Sequence, residues 1–322
     1  MRYASEGKLY TFLALRDVNA MDWISLALLS AVVFGSVSVL DRRLLVRYFP
    51  VVSSLSFSVG FVQLGVAAIT LAVCVPVLGV PELRSSIIAT ISGAIWAIGL
   101  MSYFKGMQME EVSRATPIAQ GYPIFASILS VIFLEESMNL IQWLLVLVVV
   151  LGAGLLSFKP NQVHQRMVSL LAFSILVFGS IMVGTAFVVG KVALGELDLW
   201  TMSGFRALGM GTAMVVLNYR KETVHLSRVA FKNYAGLRMF LITEGFLAPI
   251  ALLLLLASIS IGPVSLVSAV ASTRPLFVLI IASIFSIGSW NYINEPLDRN
   301  TLTLKTASIL MMIFGVAGLG LT

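Results

Sequence analysis

This 322-residue chain is short of charge: 11% of it is Asp, Glu, Lys or Arg, against roughly 25% in soluble domains. No soluble surface can be built from so few charges. Cysteine occurs once, as Cys74 inside an apolar run, which excludes a disulfide framework within one chain. Histidine occurs twice, as His164 and His225, both in polar linkers. A zinc site of Cys and His is therefore unavailable, and neither HExxH nor GxSxG occurs. No metal, cofactor or catalytic residue is expected. GxxxxGK[ST] is missing too, so ATP does not drive this protein directly.

What is present is apolar. Hydrophobic residues make up 59% of the chain, with a mean hydropathy of +0.99. The reading is an all-α polytopic membrane protein. The net charge of +6 fits basic loops at an anionic lipid surface, and no nucleic-acid partner is expected.

A transmembrane helix needs about 20 mostly apolar residues. Such runs lie near 22–40, 52–78, 86–106, 112–134, 138–158, 168–190, 199–218, 238–258, 264–286 and 304–322. The short breaks hold most of the charge, at Asp41-Arg42-Arg43, Glu82-Leu83-Arg84, Glu110-Glu111, Glu135-Glu136 and Lys159-Pro160-Asn161. Ten helices leave no room for a separate soluble domain. Residues 1–21 read as an interfacial stub, or as an over-long start with Met21 as the true beginning.

An internal repeat organises the runs. Val112-Ser113 recurs as Val264-Ser265, Pro123 as Pro275, Phe125 as Phe277 and Ile132-Phe133 as Ile284-Phe285, all at a spacing of 152 residues. Phe34-Gly35 is matched to Phe178-Gly179, and Phe57 to Phe205 after a small shift. Two five-helix halves follow, 22–158 and 168–322, joined near residues 159–167. An odd number of helices per half inserts the second half upside down. That is the inverted-repeat plan of secondary transporters, whose site lies near the midplane between halves.

The stretch from Val112 to Gly154 resembles the helix 4–helix 5 signature of EamA-type transporters in the drug/metabolite transporter superfamily. The signature has a mid-helix proline, a glutamate at the helix end and a glycine-bearing final helix. Here these read Pro123, then Phe133-Leu134-Glu135-Glu136, Gln142 and Gly152-Ala153-Gly154. Leu145 departs from it, standing where the family usually has glycine. In the second half Glu295 is a candidate for the matching glutamate, but Gly315 and Gly318 then lie too far along. The resemblance implies alternating access, usually export, and makes Glu136 a structural hallmark rather than a substrate contact.

Lysines and arginines of the breaks divide unevenly, five on the face holding both termini and fourteen on the other. Positive-inside reasoning puts both termini outside. The resemblance implies cytoplasmic termini.

Ionisable groups inside spans are functional candidates by default. Three stand out: Arg206, Glu244 and Arg274. At 1.5 Å rise per residue, Arg274 lies roughly 15 Å past Val264, near the midplane. Glu244 and Arg274 differ in depth by about 7 Å, and Glu244 and Arg206 by roughly 12 Å, so the expected pair is Glu244–Arg274. A lone buried carboxyl can carry a proton, whereas an arginine beside it keeps it ionised. The functional reading has Arg274 binding a carboxylate or phosphate, with Glu244 holding it until substrate competes. The plain alternative is a structural ion pair, with Arg206 snorkelling to the interface. Pro123 and Pro275 each free a backbone carbonyl and are candidate hinges beside Tyr122 and Thr273. Gln63, Gln120, Trp96 and Tyr103 are further candidates for lining a cavity, against a role in packing. Ala31 with Gly35 and Ser180 with Gly184 suit close helix packing, and leave a homodimer open.

The expectation is a multi-pass plasma-membrane secondary transporter, not an enzyme, exporting a small polar metabolite such as an amino acid or another carboxylate. Coupling is to a proton gradient or to exchange. One alternative is an exchanger of phosphorylated or nucleotide-linked metabolites using Arg206 and Arg274 together. Another, of a different class, is an intramembrane lipid-modifying enzyme relying on Glu244 and tyrosines.

Overall fold

In the computed structural model, residues 23–49, 51–109, 118–157, 170–286 and 299–322 are described. They form helices and connecting turns, without strands. The first repeat holds α1 (Trp23–Arg47), α2 (Val52–Leu78), α3 (Leu83–Met109), α4 (Tyr122–Phe133) and α5 (Leu140–Ser157). The second holds α6 (Leu170–Leu194), α7 (Leu199–Asn218), α8 (Lys221–Phe231), α9 (Tyr234–Ile261), α10 (Val264–Ala271), α11 (Arg274–Ser286) and α12 (Arg299–Leu321). The stub 1–21, Val112-Ser113, Glu295, His164 and the joining segment lie outside the described residues.

All ten expected spans carry helix, and the surface is inside-out by soluble standards. Phe61, Ile69, Ile128, Phe173 and Phe246 are exposed, while Ser30, Ser92, Ser127 and Ser268 are buried. Lipid hydrocarbon takes up the exposed rings and chains. The buried hydroxyls bond to backbone carbonyls, as hydrocarbon requires. Ser30 Oγ donates to Ala251 O at 2.9 Å, and Ser92 Oγ to Ala186 O at 2.9 Å.

Three departures from the sequence reading matter. First, α1 does not stop at residue 40 but runs through Asp41-Arg42-Arg43 to Arg47. Charge was read as a break, yet Asp41 turns inward to partners on other helices. Second, the polar linker after α7 folds as the short helix α8, with Thr223, Ser227 and Ala230 buried. Ser227 Oγ donates to Ser54 O of α2 at 3.1 Å, fixing α8 against the bundle. Third, the span at 264–286 is two helices, α10 and α11, broken at Ser272 and Thr273.

Much of the packing is symmetric under exchange of the repeats, although α3 lies along α7 while its counterpart α9 touches α2 only lightly. α3 lies along α6 as α9 lies along α1, and α4 lies along α6 as α11 lies along α1. α2 with α7 and α5 with α12 are pairs that map onto themselves. Among the described residues, helices thus fill the ten expected spans, in two inverted five-helix repeats. The symmetry also corrects one sequence match. A side chain at Gly35 would meet Phe277 Cβ at 2.9 Å, and one at Gly184 would meet Phe125 Cβ at 3.1 Å. Phe125 and Phe277 are repeat mates, so Gly35 corresponds to Gly184. Gly179 instead faces Gly99 and Ser102 of α3. The earlier match slipped because apolar helices repeat Phe-Gly by chance.

Candidate functional site

A row of rings crosses the interior between the repeats and ends in charge on both sides. Trp96 of α3 and Phe187 of α6 have centroids 5.6 Å apart. Tyr122 of α4 stacks on Phe187, also at 5.6 Å and with 25° between planes. The packing of α3 and α4 on α6 brings the three together. At the Trp96 end, the Arg206 guanidinium carbon lies 4.9 Å from the indole centroid, within cation–π range. At the other end, Arg274 is close enough for its charge to act on the Tyr122 hydroxyl.

The two arginines have different surroundings. Arg274 is the first residue of α11, set by the helix break and Pro275. Its Nε donates to Ser38 Oγ at 2.7 Å, and its guanidinium carbon lies 5.0 Å from the Phe34 centroid. Its charge also acts on Asp41 and Glu244, which neighbour each other where α1 packs on α9. Arg206 is 4% exposed. Its Nη1 donates to Ser92 Oγ at 3.2 Å, and Nη2 is buried without a partner. It does not snorkel.

The other expected residues divide. Gln63 is buried at 1% exposure, with Nε2 lacking a partner. Thr273 caps its own turn, Oγ1 donating to Val270 O at 2.7 Å. Gln120 is half-buried in the turn before α4. Tyr103 stands about 10 Å along α3 from Trp96, where α3 meets Gly179 of α6. Pro123 and Pro275 each occupy the first turn of the helix after a break. The carbonyls ahead of Pro123 are already engaged, Ser180 Oγ donating to Ile118 O at 2.9 Å and Ala119 O at 3.2 Å.

Asp41, Ser38, Ser92 and Phe187 were not anticipated. The signal for Asp41 was there: Phe34, Ser38 and Asp41 recur at helical spacing, i, i+4 and i+7, on one face. Two arginines following it made a loop the easier reading.

At the end of the bundle holding the start of α10, the repeats are fastened together. Glu136, in the connection after α4, accepts from Val264 N at 2.6 Å, Ser265 N at 3.1 Å and Ser265 Oγ at 2.7 Å. A carboxylate there both caps α10 and meets its positive dipole end. Lys191 of α6 donates to Ile259 O, Ser260 O and Gly262 O at 2.6, 3.2 and 3.1 Å, capping α9. Among the described residues, no group of three or more His, Cys, Asp or Glu could hold a metal ion.

Comparison with known proteins bears on these features. A Listeria innocua protein named for sugar uptake is 24% identical over 254 residues, covering 75% of this chain and 81% of that protein. A Listeria monocytogenes protein of the same name is 25% identical over the same shares. A Staphylococcus aureus protein named for glucose uptake is 30% identical over 147 residues, 42% of this chain and 50% of that one. One crystal structure superposes with a TM-score of 0.62, over 92% of this chain and 94% of the other, at 11% identity, a likeness of fold. The profile of the EamA-like transporter family matches residues 21–158 and again 170–321. With two matches that together cover nearly the whole length, this multi-pass protein of the cell membrane belongs to the EamA-like transporter family.

Proposed function

We propose that this transporter carries a sugar or a similarly hydroxylated small metabolite, by alternating access about the ring row between its repeats. The observation that carries the reading is the row itself, Trp96, Phe187 and Tyr122, with hydrogen-bonding groups at both ends. Aromatic faces suit the C–H face of a sugar ring, while arginine and hydroxyl groups suit its oxygens. The sugar-uptake names of the Listeria and Staphylococcus relatives agree with this reading and favour uptake over export.

The charges weigh against an amino acid or carboxylate held by Arg274. That arginine's charge already acts on two carboxyl groups of the protein, so an anion arriving there finds no unshared positive charge. A carboxylate-bearing substrate is better served by Arg206, whose Nη2 has no partner. That is the second reading, and it shifts the anion site to the opposite end of the row. Exchange of phosphorylated compounds would use both arginines, and the carboxyls beside Arg274 disfavour it. The family and the relatives' names favour a transporter over an intramembrane enzyme.

The test is uptake and export of labelled neutral sugars, sugar acids, amino acids and sugar phosphates by cells lacking their own sugar uptake. Saturable entry of a neutral sugar, reduced by Trp96→Ala in normally inserted protein, is the expected result. Movement of amino acids alone would overturn it.

A further inference from the structure

We propose that Arg206 holds a small inorganic anion, of the size and charge of chloride, inside the bundle beside the ring row. The site stands on its own geometry, whatever the ring row carries. Arg206 is 4% exposed, its Nη1 donates to Ser92 Oγ at 3.2 Å, and its Nη2 is buried with nothing opposite it. A guanidinium stays charged in proteins and cannot shed its proton to suit its burial. Water at Nη2 would accept one hydrogen bond and leave the charge unbalanced, and an unbalanced buried charge is costly.

The helices around Arg206 supply no counter-charge. α7 packs chiefly on α2, α3, α6 and the Ala248–Ile261 part of α9. None of these carries an acidic residue, and the charged side chains they add are Arg84, Lys105 and Lys191, all basic. Glu244 belongs to the π-helical stretch Leu241–Leu247 of α9, where α1 and Asp41 are its neighbours. In the turns nearest α7, Glu196 is engaged by Ser85 Oγ. Asp198 caps α7, accepting from Trp200 N and Thr201 N, about 12 Å along the helix from Arg206.

The inverted symmetry shows what is missing. Counting on from the matched glycines Gly35 and Gly184, Asp41 falls opposite Gly190. At the 152-residue spacing of Pro123 and Pro275, Glu244 falls opposite Ser92. One contact supports both matches: Ser30 Oγ donates to Ala251 O at 2.9 Å, and the mates of those residues, Gly179 and Gly99, also touch. So the two positions that hold carboxyls at one end hold a glycine and a hydroxyl at the other, and Arg206 lies against both. A side chain at Gly190 would meet Arg206 Nη1 at 2.8 Å and Ser92 Oγ at 3.2 Å. The chain thus brings a cation to this place and withdraws the carboxyls, and an anion from solution supplies the missing charge.

The surroundings set the size of that anion. α3 and α7 meet backbone to backbone, Gly93 against Arg206 and Gly209 against Thr90. Such close packing suits a monatomic anion rather than a phosphate or sulfate. Ser92 Oγ already donates to Ala186 O at 2.9 Å, so it has no second proton to offer, and the anion's donor is Nη2. The Trp96 indole covers one side of the guanidinium, 4.9 Å from its carbon. An anion on Nη2 neutralises that end of the ring row, so an uncharged substrate meets no net charge beside Trp96.

The test uses the full chain in detergent, exchanged into isethionate, a bulky organic sulfonate. Iodide is added at constant ionic strength while tryptophan emission is followed, because iodide quenches an indole it lies beside. Wild type is expected to show a saturable component above the linear collisional quenching, displaced by chloride and missing in Trp96→Phe. Chloride at about a hundredfold excess over its Kd should also raise the thermal midpoint of wild type by about 3–5 °C. Arg206→Met should show neither response. Linear quenching alone with an unmoved midpoint overturns the proposal, since Nη2 then holds water. An equal chloride response in Arg206→Met overturns it as well. So does a midpoint raised by acetate or glucuronate but not by halides, which would give Nη2 to a substrate's carboxylate. If Arg206→Met fails to fold, Arg206→Lys replaces it, keeping the charge but losing Nη2. Its chloride Kd should be displaced, and a Kd equal to that of wild type overturns the proposal.

Discussion

Arg206 and Arg274 are both arginines inside membrane spans, but their surroundings are opposite. Arg274 faces two carboxyl groups and a hydroxyl, and its charge is balanced within the protein. Arg206 has a hydroxyl, an indole face and an Nη2 with nothing opposite it. Depth and residue type made the two look like members of one set. The charge around them assigns Arg274 to the machinery joining the repeats, and leaves Arg206 as the cation able to take on a new partner.

The strongest way to break this contrast is to replace each arginine by methionine, which keeps much of the bulk. Arg274→Met leaves two buried carboxyls without their cation, and removing one partner of such a group costs about 3–5 kcal/mol. The thermal midpoint in detergent should fall sharply and transport should be lost. Arg206→Met removes a cation that has no counter-charge, and apolar replacement of buried charge stabilises by about 1–4 kcal/mol. Its midpoint should hold or rise while sugar entry falls. If both variants lose stability alike, the difference between the arginines is not one of charge balance.

Lys191 sharpens the comparison as a cation satisfied by carbonyls rather than carboxyls. Lys191→Met uncaps α9, and the expected loss is about 1 kcal/mol, read by the same thermal midpoint. Glu136→Gln removes the charge at the start of α10 but keeps an acceptor, and should cost about 1 kcal/mol at most. That loss should appear as easier labelling of a cysteine placed at Ser265.

The smallest effect belongs to Glu196, in the turn between α6 and α7. The Ser85 hydroxyl first, and then Glu82 and the Arg84 charge, hold its carboxyl below the usual carboxylate range. A lowered folded value stabilises at pH above the ordinary carboxylate range, and that contribution disappears as pH falls through the lowered value. Glu196→Gln should therefore differ from wild type only slightly at neutral pH. The difference should vanish in acid, as followed by thermal midpoint against pH.

The contrast also marks where sequence reading runs out. The spans were legible because hydrocarbon demands long apolar runs, and the repeat because Pro123 and Pro275 hold a constant spacing. Arg206, Glu244 and Arg274 stood out because charge in an apolar run is rare. Asp41 did not, because charge beside Arg42 and Arg43 looks like a helix end until another helix is known to face it. Phe187 was hidden for the opposite reason, as one apolar residue among many. The π-helical stretch around Glu244 has no sequence signal that composition or periodicity would reveal.

The central claim is that the ring row holds a hydroxylated, uncharged compound. Its most direct test is counterflow in proteoliposomes at equal pH, comparing glucose, glucuronate and glutamate in wild type and in Trp96→Ala. The account predicts saturable glucose counterflow, weak or absent glutamate counterflow, and loss of glucose counterflow in Trp96→Ala with little change in thermal midpoint. Glutamate counterflow without glucose counterflow, or glucose counterflow unaffected by Trp96→Ala, would contradict it.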